Sequence, residues 1–342
     1  MKRLLARSAT ALLAAPLVLL ALQNSPGNIS ASAKAPSAAV VAQAHANFVK
    51  VMSAHAPAVG HGGWISPSVQ HRGALGGSNG TVTAVASANW SGYADVESAS
   101  KTVSYASGDW TMPAVHCPSA PYQNQDAFLA SWVGIDGFTD ATVEQLGTAA
   151  QCFEGVTYYY VWYEMYPAGT VEEGTTACIN NNVDCPAPGD HISASVSVTP
   201  ASSGENSYTL KLTDHTNPAE SFSVTQQCAT TTCSDSSSEW IQERPAVLPP
   251  FGVQILPLAD FGRASFDRAD VVSGGKFSNI QGFKDGPVYD IAMIDDTSSY
   301  YLACVDQPSP PGTLLTIGQT NACPAASPSR SGGFEESWDS SF

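Results

Sequence analysis

The chain has 342 residues, with 14 Lys and Arg against 30 Asp and Glu, and a formal net charge of −16 at pH 7. Such an acidic chain argues against nucleic acid and anionic membranes as partners. The charge is also unevenly divided: residues 1–94 contain no Asp or Glu, so residues 95–342 hold all thirty acids with eight Lys and Arg, a net charge of −22.

In chain order, the first segment is an address. Lys2, Arg3 and Arg7 precede an apolar run from Ala11 to Leu22 and then small residues, the layout of a secretory signal peptide. The run is too short to span a bilayer comfortably, and no second long apolar run follows, so no membrane anchor is expected. Residues 1–33 are read as the signal, with cleavage after Ala33 and a second acceptable site near Ala21. The protein is therefore expected to be secreted and extracellular.

Residues 34–80 are rich in Ala, Ser, Gly and Val. Their fixed charges are all positive: Lys34, Lys50 and Arg72. A basic stretch before so acidic a domain invites electrostatic docking, which should fade once carboxylates are neutralised near pH ~4. This segment is read as a pro-segment that is removed, with the chain's own pro-segment as an inhibitory partner released by acid. A solvated linker is the plainer reading of the same composition.

Residues 81–305 are expected to form one domain. Short strands separated by turn signals recur at Tyr158–Tyr166, His191–Thr199, Ser207–Thr213, Glu220–Thr225 and Val288–Ile294. Helical periodicity is almost absent. The expected fold class is all-β, an antiparallel sandwich of two sheets. Residues 306–342, rich in Pro, Ser and Gly, are read as a C-terminal tail. Eight cysteines in an exported chain are expected to form disulfides. Cys178 with Cys185 and Cys228 with Cys233 would close short loops, leaving Cys117 with Cys152 and Cys304 with Cys323. A metal site would need CxxC pairs or a close Cys/His cluster, and the sequence has neither.

Several chemistries are set aside. There is no HExxH, no aspartic-peptidase DTG or DSG pair and no phosphate loop. A GxSxG match at Gly76, Ser78 and Gly80 lacks the strand and helix that a nucleophile elbow requires. His116, His191 and His215 are scattered. What remains is carboxylates, amides and indoles, and two polar residues in otherwise apolar β-strand contexts: Gln145 in VEQLG and Glu243 in EWIQERP.

Eight ordered motifs carry a family resemblance: ANWSGYA (88–94), DWTMP (109–113), WVGIDG (132–137), VEQLG (143–147), VWYEMYP (161–167), PGDHISASV (188–196), EWIQERP (239–245) and PLADFG (257–262). In that order they resemble the glutamic peptidases of the eqolisin type. The resemblance spans residues 88–270. It implies a sandwich of two antiparallel sheets and a polypeptide substrate; separately, no cofactor, no metal and a monomer are expected. It places the family's catalytic glutamine on Gln145 and its glutamate on Glu243. It also implies a substrate groove lined by Trp90, Trp132, Asp136 and Glu164. Trp162 alternates with Glu164 along one strand and should share its face. Two departures lie close by: the loop between Asp136 and Gln145 is one residue shorter than in other members, and Tyr160 stands where those carry an acid.

The side chains themselves suit acid chemistry. A glutamate can activate water while ionised and later return the proton to a leaving amine, provided its pKa lies near the working pH. An unperturbed glutamate, at ~4.3, is already suited to acid conditions. An amide NH₂ can donate to an oxyanion at any pH. Two other functions fit an aromatic, carboxylate-bearing sandwich. One is a glycoside hydrolase using Glu164 and Glu243; the other is a binding module without turnover.

Overall fold

The computed structural model describes residues 36–53, 82–118, 125–174, 185–247, 254–294, 301–306 and 334–338, apart from positions 88, 99, 139, 230 and 231. The signal segment, residues 54–81, most of the tail, Cys178, Cys323 and the side chain of Cys304 lie outside the described residues.

Among the described residues, one α-helix, α1 (Ala38–Ser53), precedes eighteen strands. They are β1 (Val82–Ser87), β2 (Trp90–Val96), β3 (Val103–Thr111), β4 (Ala127–Ile135), β5 (Val143–Phe153), β6 (Val156–Tyr166), β7 (Thr170–Glu173), β8 (His191–Thr199) and β9 (Ser207–Asp214). These are followed by β10 (Phe222–Gln227), β11 (Ser237–Glu243), β12 (Ala246–Val247), β13 (Gln254–Ile255), β14 (Arg263–Ser273), β15 (Lys276–Asn279), β16 (Val288–Ile294), β17 (Tyr301–Asp306) and β18 (Phe334–Trp338).

The strands form two antiparallel layers. The first runs β10-β9-β8-β3-β14 and the second β16-β2-β11-β4-β5-β6-β7, with β18 and β17 continuing the ladder from β14 to β16. One pair, β1 with β16, is parallel. Between the layers lies the main core. Val133, Ile135, Leu146 and Tyr163 of the second layer meet Ile192, Val196, Leu210, Leu212 and Phe266 of the first. Strands of the first layer alternate in burial, as β8 and β14 do, because their other face meets water. Strands β4, β5 and β11 are buried along their whole length, so the second layer is covered on both faces.

The strands read from sequence His191–Thr199 and Val288–Ile294 have those same bounds, while β6 and β9 run one or two residues further. The strand expected at Glu220–Thr225 starts at Phe222, because Pro218–Glu220 closes a short 3-10 turn. The Asp214 carboxylate holds this turn by accepting the N–H groups of Thr216 and Asn217 at 2.8 and 2.7 Å. Within the stretch read as a tail, Phe334–Trp338 forms β18, and Phe334 is buried against Tyr93 and Phe266. Disulfides join Cys117 to Cys152 and Cys228 to Cys233. Cys185 is also disulfide-bonded.

The helix sits on the outer face of the second layer. Val41, Ala44 and Phe48 recur at helical spacing and form one buried cluster with Trp90, Ala130, Trp132, Ala149, Tyr160 and Trp162. The Phe48 ring stacks on Tyr160, with centroids 3.8 Å apart and planes 9° from parallel. His45 pairs with Glu172 of β7, and Asn47 Nδ2 donates to Asp126 Oδ2 at 2.8 Å.

The interior holds an unusual number of acids. Asp95, Asp136, Glu144 and Glu239 are fully buried. Loss of hydration raises each carboxyl, Asp136 to about 7 with help from neighbouring Asp140 and the other three well above the carboxylate range. A raised folded-state value stabilises the fold fully below the unfolded value of ~4 and is lost as pH rises through the folded value. Asp285, held low by Lys101, works in the opposite direction but at the surface. The melting temperature should therefore fall by on the order of 10 °C between pH 4 and pH 7. A melting temperature that is flat or rises over that interval, measured by calorimetry, would refute this account of the interior.

Candidate active site

The outer face of the second layer carries every other residue of its strands, since side chains alternate along a strand. On β4 these include Ala130, Trp132 and Gly134; on β5, Gln145, Gly147 and Ala149; on β6, Tyr160, Trp162 and Glu164; on β11, Glu239, Ile241 and Glu243. Register sets their relative positions. Gln145 lies opposite Gly134 and Glu164, and Gly134 lies opposite Glu239. Two same-face steps along, Glu243 lies opposite Ala130, which lies opposite Ala149 and then Tyr160. Gln145 and Glu243 thus share a face, separated by β4.

Trp132 occupies the space between them. Its Nε1 donates to Glu243 Oε2 at 2.8 Å. Its six-membered ring lies over Gly134, where an added Cβ would come within 3.0 Å of Cζ3 and 3.2 Å of the Gln145 Cβ. Gly147 permits the same arrangement from the other side. A Cβ there would lie 2.1 Å from the Ser131 carbonyl oxygen and 2.8 Å from the Trp132 Cα, so any side chain would push β5 away from β4. The Trp90 ring meets Trp132 edge-on at 5.0 Å.

Each polar residue has partners that aim it. Glu243 Oε1 accepts from Asn89 Nδ2 at 3.0 Å. Asn89 is itself fixed by Ser87, whose hydroxyl donates to Asn89 Oδ1 at 3.1 Å and accepts the Trp90 N–H, also at 3.1 Å. Gln145 Nε2 donates to Glu164 Oε2 at 2.6 Å, and Glu164 Oε1 accepts from Thr170 Oγ1 at 3.2 Å. An amide nitrogen has two hydrogens, so this bond leaves Gln145 one more to donate. Gln145 and Glu164 are completely buried and Glu243 is 1% exposed. In the full-length chain, the pair is closed to solvent.

Of the residues expected in the groove, Trp90, Trp132, Trp162 and Glu164 lie on this face with Gln145 and Glu243. Asp136 is placed elsewhere. It ends β4 with φ of 67°, and its carboxylate accepts the backbone N–H groups of Ser234, Asp235 and Ser236 at 2.6–2.8 Å. Asp140 adds bonds from Gly137 N and Ser236 Oγ, so the short loop before Gln145 is stitched to the loop before β11. Among the described residues, one group of donor atoms is close enough to consider for a metal: Glu144 with Cys228 and Cys233. Those two sulfurs form a disulfide and offer no thiolate. Sequence reasoning missed two parts of the site. One is Asn89, whose signal is only the asparagine that opens NWSG. The other is α1, whose signal is the spacing of Val41, Ala44 and Phe48.

A family model described as the Peptidase A4 family matches residues 88–306. The chain belongs to this family. Aspergillopepsin-2 of Aspergillus niger is 29% identical over 235 residues, covering 62% of this chain and 73% of that protein. The fold is similar to that of scytalido-glutamic peptidase solved with a transition-state analogue inhibitor, with a TM-score of 0.50 and 18% identity over 74% of this chain and 98% of that one. Aspergilloglutamic peptidase from Aspergillus niger matches with a TM-score of 0.40 and 20% identity over 62% of this chain and 99% of that one. The chain is therefore a peptide-bond hydrolase of the glutamic peptidase kind, and its substrates are polypeptides. No helix among its described residues is long and apolar enough to cross a membrane.

Proposed function

We propose that this peptidase is a secreted, acid-acting endopeptidase in which Glu243 is the general base and acid and Gln145 stabilises the oxyanion. The observation that supports this most is the shared face on which both residues are aimed by dedicated partners, with Trp132 filling the space between them. Ionised Glu243 takes a proton from water, which attacks the scissile carbonyl carbon. The developing oxyanion accepts the second Gln145 N–H, whose direction is fixed by the bond to Glu164. Glu243 then returns the proton to the leaving nitrogen as the carbon–nitrogen bond breaks. Glu164 is a positioning residue in this scheme, since its carboxylate is engaged by Gln145 and Thr170. Trp90, Trp132 and Trp162 supply apolar walls for an extended peptide.

The test is cleavage of an unfolded protein at about pH 3. Gln145→Ala should lower kcat by ~10²- to 10³-fold, and Glu243→Ala by at least as much, with folding retained by circular dichroism. Full activity in either variant would exclude that residue from the mechanism.

A closed site needs an opening event, and we assign it to residues 34–80. A polypeptide cannot reach groups that are 0–1% exposed, and α1 is seated on the same face. The docking is chiefly apolar. Lys50 is exposed and makes no ion pair among the described residues, so the charge contrast between the segments steers rather than holds. Acid sensitivity comes from His45. Burial lowers its pKa, while Glu172 is raised to about 8 by burial and by nearby Glu220. Below that value the pair shares a single proton and carries no charge. Asp126, beside Asn47, is raised as well, so acid leaves no facing anion to compensate a protonated His45. His45 is harder to protonate in the docked state than in the free segment, so its contribution to docking is lost as pH falls below ~6.5, while the raised Glu172 and Asp126 carboxyls act in the opposite direction as they take up protons at higher pH. His45→Gln keeps a neutral hydrogen-bonding partner and should move the onset of activity of the full-length chain to lower pH. An unchanged onset would remove His45 from the release step.

A further inference from the structure

The Phe48 seat lies on the catalytic face at a definite place. Its floor is the Tyr160 ring, in the same cross-strand row as Glu243 with only Ala149 and Ala130 between them. Tyr160 is itself held in place, since its hydroxyl donates to Gln151 Oε1 at 3.1 Å. Phe153 and Tyr158 flank it in the same apolar cluster. With α1 in place, Phe48 is 1% exposed and Tyr160 5%. Once α1 has left, this face presents a rigid aromatic shelf next to a trough floored by two alanines, an apolar patch that calls for an occupant.

We infer that Tyr160 and its neighbours form a substrate subsite for an aromatic side chain, which Phe48 fills in the full-length chain. The inference rests on the catalytic reading of Gln145 and Glu243. A scissile bond between those two residues lies above β4, and Tyr160 is two strand spacings away, about 10 Å. An extended peptide advances ~3.3 Å per residue, so the aromatic residue sits about three positions from the cut. Near-parallel stacking at 3.8 Å suits the rings of Phe, Tyr or Trp and gives nothing to a small side chain, so the seat favours a ring. The alanines keep the path from the scissile bond to the ring clear. Phe48 thus makes α1 a substrate mimic in one side chain, although its helical backbone cannot be laid across the catalytic pair as a strand would be.

The full-length chain, activated at pH 3, would be given a mixture of peptides from unfolded proteins, with cleavage sites mapped by mass spectrometry. Wild type and Tyr160→Phe should both show aromatic residues enriched by about tenfold at the position about three residues from the cut on one side, and Tyr160→Ala should lose that enrichment. No aromatic enrichment in wild type, or enrichment that survives in Tyr160→Ala, would overturn the subsite. A synthetic peptide of residues 36–53 gives a second readout that needs no variant of the enzyme. Its affinity for the activated protein, measured by calorimetry, should fall about tenfold on Phe48→Ala, and equal affinities would overturn the assignment. Absence of any cleavage together with Phe48-dependent binding would instead overturn the catalytic reading beneath it.

Discussion

Trp132 can lie between Gln145 and Glu243 only because the positions beside it, Gly134 along its own strand and Gly147 across from it, carry no side chain. Most of the site follows from that one steric allowance. The indole N–H reaches Glu243, the ring fills the space under which two longer side chains would otherwise collapse, and Trp90 packs on its edge. The polar groups are then held from outside the pair, Glu243 by Asn89 and Gln145 by Glu164. A buried carboxylate or amide is costly unless its hydrogen bonds are made, so these partners both stabilise and aim the groups they touch.

The same interior bears on the proposed action in acid. A chain with thirty acids against fourteen bases would repel itself at neutral pH, and it also buries Asp95, Glu144 and Glu239 with no cation beside them among the described residues. Burial makes these groups neutral acids that hold protons where surface carboxylates have lost them. Low pH therefore relieves surface repulsion and supplies the protons the interior needs. For helix α1 the proposed preference is the opposite one, carried by His45, whose burial disfavours its protonated form. On the proposed reading, one solvent change favours the fold and weakens the His45 contribution to its cover.

Much of this was legible in the sequence because two-residue alternation is a local signal. The strands at His191–Thr199 and Val288–Ile294 could be read with their observed bounds, and the ordered motifs placed Gln145 and Glu243 on strands. Other features were hidden for physical reasons. Asp136 sits in a conspicuous motif, yet its role is set by the backbone of residues 234–236, about a hundred positions away, which no local pattern records. The 16-residue α1 was passed over because small Ala and Val residues dominate its composition; its periodicity rests on Val41, Ala44 and Phe48, and its partner surface is assembled from strands far away in the sequence. β18 lies in a Pro- and Ser-rich stretch that dilutes the alternation of FEESW.

The central claim is that Gln145 acts on the transition state and not on the substrate as bound. The most direct measurement compares the affinity of the activated protein for a peptide carrying a tetrahedral hydroxyl-bearing carbon in place of the scissile carbonyl with its affinity for the matching uncleaved peptide, in wild type and in Gln145→Ala. The account expects Gln145→Ala to lose ~10²- to 10³-fold in affinity for the tetrahedral analogue while binding the substrate peptide within about threefold of wild type. Equal losses for both ligands would show that Gln145 merely holds the peptide, and the proposed division of labour with Glu243 would be wrong.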